Sequence, residues 1–108
     1  MKRIHKYLLE EGEALIEDPV EKWLTAQVQG NQVAVWAQID TLEEPHEYYL
    51  YTLGTGWSCK RIPGEYVGTV QEPDSQLVWH VFAARVHRSE NVDVGWAGGE
   101  TGEAFYVS

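Results

Sequence analysis

The residue types that most often do chemistry are few and scattered in this chain. Ser58-Cys59 is the one loop position where a nucleophile could be sought, and no neighbouring histidine or acid marks it further. The four histidines lack the close spacing of paired metal ligands on one element. They are His5, His46, His80 and His87. The sequence therefore predicts a protein that is not an enzyme and has no bound metal or cofactor.

A short glycine-rich motif is the first candidate for ligand binding. Gly54, Thr55 and Gly56 follow a run of strand-forming residues and could offer backbone N–H groups and a hydroxyl to an anion. Lys60 and Arg61 could add positive charge nearby. The motif lacks the following helix of a phosphate-binding loop. A plain turn that ends a strand is therefore the alternative interpretation.

Aromatic residues are the second candidate. Five Trp, six Tyr and two Phe exceed what one small core needs, so one or two Trp are expected at the surface. Trp57 follows the glycine-rich motif. Trp36 lies on the polar face of a predicted strand, where it either packs under a neighbouring segment or forms a stacking platform. His80 lies within a predicted strand and either bonds to a neighbouring group or contacts a ligand.

The elements that would position these residues are mainly β-strands. Apolar and polar residues alternate from Leu24 to Gln29 and from Val33 to Ile39, around a two-residue turn at Gly30 and Asn31, which predicts a hairpin. The further predicted strands are Lys2 to Leu9, Tyr48 to Leu53, Glu65 to Gln71 and Gln76 to Ala84. We expect a small antiparallel barrel or sandwich of five to seven strands.

Two segments lack a clear strand pattern. Residues 10–21 contain Gly12, Asp18 and Pro19 and are predicted as a loop with at most one helical turn around Ala14 to Glu17. Residues 85–108 are predicted as a C-terminal extension of a core domain at residues 1–84. The extension is expected either to form a last hairpin, from residues 91–96 and 104–107, or to remain a partly mobile tail.

Charge and composition narrow the classes of function. The net charge is −9, which opposes sequence-independent nucleic-acid binding. Ten acidic residues and one basic residue, Lys22, lie between Glu10 and Glu47. They either imitate DNA on one face or serve solubility alone. We expect a cytoplasmic setting from three features of the sequence. It has a single cysteine, no apolar run long enough for a membrane span and no recognisable secretory leader.

Six segments, in this order, resemble an uncharacterised family of short proteins from bacteriophages and prophages. The segments are Ile4 to Tyr7, Leu24 to Gln29, Val35 to Ala37, Gly54 to Gly56, Tyr66 to Val70 and Leu77 to Phe82. The resemblance covers residues 3–82, and the remaining tail lies outside it. It implies a phage context and no established activity.

The residues and the resemblance together suggest three hypotheses. The first is a counter-defence protein in the host cytoplasm that sequesters a cyclic nucleotide or a cyclic ADP-ribose derivative. It is expected to be a homo-oligomer with ligand pockets at the subunit interfaces. The second is an acidic inhibitor that binds a host defence enzyme, of the DNA-mimic or anti-CRISPR type. The third is a minor structural or accessory phage protein. The predicted ligand-binding residues are Trp36, Gly54, Thr55, Gly56, Trp57, Arg61 and His80.

Overall fold

The structure, a computed structural model, describes residues 1–88 and 105–107, and all regular elements there are β-strands. The strands are β1 (Lys2–Leu8), β2 (Glu13–Asp18), β3 (Val20–Gln29), β4 (Gln32–Asp40), β5 (His46–Gly54), β6 (Glu65–Gln71), β7 (Val78–Arg88) and β8 (Phe105–Val107). The prediction of a mainly β fold is confirmed. None of the described residues forms a helix with the length and apolarity that a membrane crossing requires.

Strands β1 to β7 form two antiparallel sheets. The small sheet has the order β1-β4-β3, and the large sheet has the order β2-β5-β7-β6, with β8 paired to the end of β7. The sheets do not close into a barrel, so the sandwich is the correct one of the two predicted architectures.

The core lies between the inner faces of the two sheets. Alternation places Ala26, Val28, Val33 and Val35 on the inner face of the small sheet, and the predicted β3-β4 hairpin is present with Val28 opposite Val33. The buried residues of the core are Leu9, Ala26, Val35, Leu50, Val70, Val81 and Ala83. A second apolar cluster lies on the outer face of the large sheet and contains Tyr49, Tyr51, Ala84 and Val86.

Strand β2 corrects the prediction of a loop or helical turn at residues 10–21. Its residues pair in continuous register with β5, from Glu13 opposite Tyr51 to Asp18 opposite His46. Burial alternates along the strand, and Ala14 and Ile16 pack against the core. Pro19 separates β2 from β3 and does not break a strand. The paired residues lie 28 to 38 positions apart in the chain, so local turn signals dominated the sequence pattern.

The chain between β5 and β6 crosses the outer face of the large sheet. Strand β7 lies between these two strands, so residues 55–64 must pass over it. The Tyr51 hydroxyl donates a hydrogen bond to the Pro63 carbonyl, which fixes the loop on the outer face. We call residues 55–64 the crossover loop.

The C-terminal prediction is only partly within the described residues. Strand β7 continues to Arg88, past the predicted end of the core domain at residue 84. Strand β8 pairs antiparallel with Val86, His87 and Arg88 of β7. The predicted strand at residues 91–96 lies outside the described residues.

Candidate functional site

The glycine-rich motif forms a β-turn at the end of β5. The Trp57 N–H donates a 3.1 Å hydrogen bond to the Gly54 carbonyl, which closes a four-residue turn. Gly56 has a φ of 87°, a conformation that L-residues with a side chain rarely adopt. The motif is therefore a turn that ends a strand.

The turn holds the indole of Trp57 in a defined position. A Cβ at Gly54 would lie 2.7 Å from the Trp57 ring, so the indole covers the glycine backbone directly. The Trp57 ring also meets Trp79 edge to face, with 5.2 Å between ring centroids. Trp79 is itself fixed, because its indole N–H donates to Glu72 over 2.8 Å. Trp57 nevertheless remains 60% exposed.

His80 lies in a row of hydroxyl groups that runs from β6 across β7 to the turn after β5. Its Nε2 is 2.8 Å from the Thr55 hydroxyl, and its Nδ1 is 3.2 Å from the Thr69 hydroxyl. Thr69 is in turn 2.6 Å from the hydroxyl of Tyr66. Each hydroxyl can donate or accept, so either tautomer of the imidazole keeps both bonds. We call Thr55, Tyr66, Thr69 and His80 the histidine network.

Trp57 and His80 lie on opposite sides of the large sheet. Trp79 shares the inner side of β7 with Val81, whereas His80 points to the outer side because side chains alternate along a strand. Gly54 is opposite Trp79 in the register, so the indole that covers Gly54 is on the inner side. The turn thus connects the two sides, with Thr55 bonded on one and Trp57 packed on the other.

The cations of the crossover loop are close to this turn in the chain. Lys60 and Arg61 follow Trp57 by three and four residues, and both side chains are exposed. Within the described part of the chain, neither forms an ion pair or a hydrogen bond. Their charges are available to an anionic group that approaches the loop.

Trp36 lies away from the turn, on the outer face of the small sheet. It is in β4, opposite Lys6 of β1 and Thr25 of β3. Val35, the preceding residue, points into the core, so Trp36 points to the opposite side. The structure therefore pairs Thr55 with His80 on one side of the large sheet and Trp57 with Gly54 on the other, and it separates Trp36 from both pairs.

Four residues of this region were not among the sequence predictions. They are Tyr66, Thr69, Glu72 and Trp79. Thr69, Glu72 and Trp79 join the site through contacts across strands or across the β6-β7 turn, so only the register places them there. Tyr66 joins it through Thr69 of its own strand. Among the residues that the structure describes, no three His, Cys, Asp or Glu side chains converge as they would around a metal ion.

Comparison with known proteins gives the family of the chain. A family model described as a domain of unknown function (DUF7352) matches residues 1–92. No curated protein and no solved structure gives a significant match. Since the family model covers most of the sequence, the chain belongs to the DUF7352 family.

Proposed function

We propose that the protein is a phage-encoded binding protein without catalytic activity. In this proposal it acts in the host cytoplasm and sequesters a small nucleotide signal of host defence, a cyclic nucleotide or a cyclic ADP-ribose derivative. The ligand binds at the turn from Gly54 to Trp57 and at the crossover loop. The resemblance to short phage proteins supports the biological context, and the geometry of Trp57 supports the ligand class.

The exposed and immobilised indole of Trp57 carries the proposal. The Trp57 side chain is 60% exposed, so its indole is accessible to a ligand. The ring is held by Trp79 and by the backbone of Gly54, so stacking would require little loss of side-chain entropy. Stacking of a base on an aromatic ring contributes about 1–3 kcal/mol.

Lys60 and Arg61 would hold the phosphate groups of the ligand. A protein with a net charge of −9 repels an anion on average, so binding requires a local concentration of positive charge. These two adjacent cations provide it, and a guanidinium can bind a phosphate through two parallel hydrogen bonds.

The histidine network has a positioning role in this proposal. The Thr55 hydroxyl is bonded to His80, which fixes the second residue of the turn to β7. Thr69 holds the other side of the imidazole. The network thereby restrains the turn that carries Trp57, and it need not contact the ligand.

A thermal-shift screen against linear and cyclic nucleotides and ADP-ribose derivatives tests the proposal. A ligand at about 100 times its dissociation constant stabilises a folded protein by about 2.7 kcal/mol. We expect Trp57→Ala and Arg61→Ala to abolish or strongly reduce the shift. Trp36→Ala and Lys22→Ala are the matched controls, because these residues lie on the small sheet, and both should keep the full shift.

Two results would contradict the proposal. A broad panel that gives no shift would remove the nucleotide ligand. A shift that is lost in Trp36→Ala and kept in Trp57→Ala would move the site to the outer face of the small sheet.

The alternative function, an acidic inhibitor of a host enzyme, is favoured by one feature of the large sheet. Glu17 of β2 lies directly opposite Glu47 of β5, so two acidic side chains are neighbours on one face of the large sheet. Neighbouring acidic side chains are complementary to a basic partner. Retention of the wild-type protein on a basic nucleic-acid-binding enzyme, lost in Glu17→Lys, would support this function over the first.

A further inference from the structure

The edge strands on the two sides of the sandwich differ in the regularity of their pairing. On one side, β3 and β6 are the outer strands, and both contain register shifts. The sheets approach closely there, since a Cβ at Gly68 would lie 3.4 Å from that of Ala26. Bulges are a common means of protecting a sheet edge from further pairing.

On the other side, β1 and β2 are the outer strands, and neither contains a register shift. Each pairs with one neighbour, β4 or β5, in continuous register without a shift. They lie next to each other, because the Tyr7 hydroxyl of β1 donates a 2.6 Å hydrogen bond to Asp18 of β2. Among the described residues, neither strand has a second strand partner.

Strand β1 presents a regular row of free backbone groups. Leu9 N–H donates to Val33 and Thr41 N–H donates to Met1, each over 2.9 Å. The hydrogen-bonded pairs of an antiparallel ladder alternate, so the odd-numbered residues of β1 bond to β4. The even-numbered residues direct their N–H and C=O groups to the open edge. They include Ile4 and Leu8, whose side chains are 65% and 44% exposed.

The two open edges carry opposite charges. Strand β1 contains three basic residues and no acidic one, and β2 contains three acidic residues and no basic one. The basic residues are Lys2, Arg3 and Lys6, and the acidic residues are Glu13, Glu17 and Asp18. The chain therefore carries on one side both a basic strand edge and its acidic complement.

We propose that this side binds a second copy of the chain, with β1 of each protomer pairing with β2 of its partner. The two-fold axis of this dimer is parallel to the strands and lies midway between the β1 edge and the β2 edge. Rotation about it places β1 of one protomer beside β2 of the other, and the reverse. Strands β1 and β2 run in opposite directions, because a short connection with a bridge between Glu10 and Glu13 joins them. The new pairs are therefore antiparallel, and both have complementary charge.

The presence of both a basic and an acidic edge on the same side favours a second copy of the chain over an acidic peptide. A peptide would satisfy β1 and leave the acidic edge of β2 open. A second copy covers both edges of both protomers and produces a closed dimer with no edge on this side. Neither Trp57 nor Arg61 lies on these strands, so dimer formation and ligand binding are tested separately.

Sedimentation velocity over a range of protein concentrations tests the dimer. We expect the wild-type protein to dimerise, and to dissociate more readily at about 1 M salt, where the Debye length is about 3 Å. Arg3→Glu and Glu17→Lys should each raise the dissociation constant about tenfold, since symmetry changes the charge in both strand pairs. Circular dichroism of both variants verifies that they remain folded.

Mixing the two variants is the decisive measurement. The mixed dimer has one wild-type strand pair and one pair with exchanged charges, so it should form more readily than either variant alone. Hydrogen exchange should show the amides of Ile4 and Lys6 becoming protected as the concentration rises. A wild-type protein that stays monomeric overturns the proposal. So does a tighter dimer in Arg3→Glu, which would indicate β1 pairing with β1, or a dimer unaffected by both changes.

Discussion

Gly64 shows how a single residue permits the crossover loop to lie on the large sheet. Its φ is 97°, and a Cβ there would meet the carbonyl oxygen of Ala83 in β7. The close approach of the loop to β7 therefore depends on the absence of a side chain at this position. Pro63, the preceding residue, accepts the hydrogen bond from Tyr51 that anchors the same loop.

We predict that Gly64→Ala destabilises the protein more than Gly30→Ala. Both glycines have positive φ, so both substitutions introduce backbone strain of about 1–2 kcal/mol. At Gly30 a Cβ would have no neighbour within 4 Å, whereas at Gly64 it would clash with backbone, which adds about 1–3 kcal/mol. Urea unfolding of the two variants measures the difference. Equal losses would mean that the loop is not pressed against β7.

The candidate site was partly predictable at the residue scale. The glycine-rich motif predicts a turn, because glycine adopts the positive φ values of turns without steric cost, and this preference can be recognised from the local sequence alone. The bond from Thr55 to His80 joins residues that are 25 positions apart, and the contact of Trp57 with Trp79 joins residues 22 apart. Such contacts depend on the pairing of β5 with β7, which no local pattern specifies.

Strand β2 illustrates the corresponding limit at the scale of elements. The β3-β4 hairpin was predictable because its alternation is clean and its turn is two residues long. In β2, Leu15 points outward among glutamates and is half exposed, which obscures the period of two. The strand is stabilised by its pairing with β5 and by the packing of Ile16 on the core, and both are nonlocal.

The alternation in β2 can be tested with two adjacent substitutions. Ile16→Ala removes a side chain that packs against the core and should lower the free energy of unfolding by about 1–2 kcal/mol, less than at a fully buried position. Leu15→Ala changes a half-exposed side chain and should cost less than about 0.5 kcal/mol. Denaturant unfolding of both variants checks the order. Similar costs at the two positions would contradict the strand.

At the scale of the whole molecule, apolar side chains cover both faces of the large sheet. The inner face contacts the small sheet, and the outer face carries a row of aromatic rings. Tyr49 stacks on Tyr51, and Tyr51 stacks on Phe82, with centroids 5.4 and 5.5 Å apart. Two of these rings end in hydroxyl groups that donate hydrogen bonds at the rim, from Tyr49 to Glu13 and from Tyr51 to Pro63. The large sheet thus depends on tyrosines that are protonated.

This dependence predicts a loss of stability in alkaline solution. Burial raises the pKa of Tyr51 to about 12, and burial with the bond donated to Glu13 raises the pKa of Tyr49 still further. An unfolded tyrosine ionises near pH 10, so above that pH the unfolded chain loses protons that the folded chain keeps. The contribution is complete below about pH 10 and decreases as the pH rises from there through the folded pKa values.

The free energy of unfolding should accordingly fall between about pH 10 and 12, by up to about 1.4 kcal/mol per pH unit for each buried tyrosine. The melting temperature should fall steeply over the same range. Circular dichroism melts across this range measure the fall, and absorbance of the phenolate reports ionisation directly. Tyr49→Phe separates tyrosine from the lysines that ionise in the same range. It removes one buried hydroxyl, so its melting temperature should decrease less with pH than that of the wild type. An identical slope in the two proteins would mean that the buried hydroxyl of Tyr49 does not control the alkaline transition.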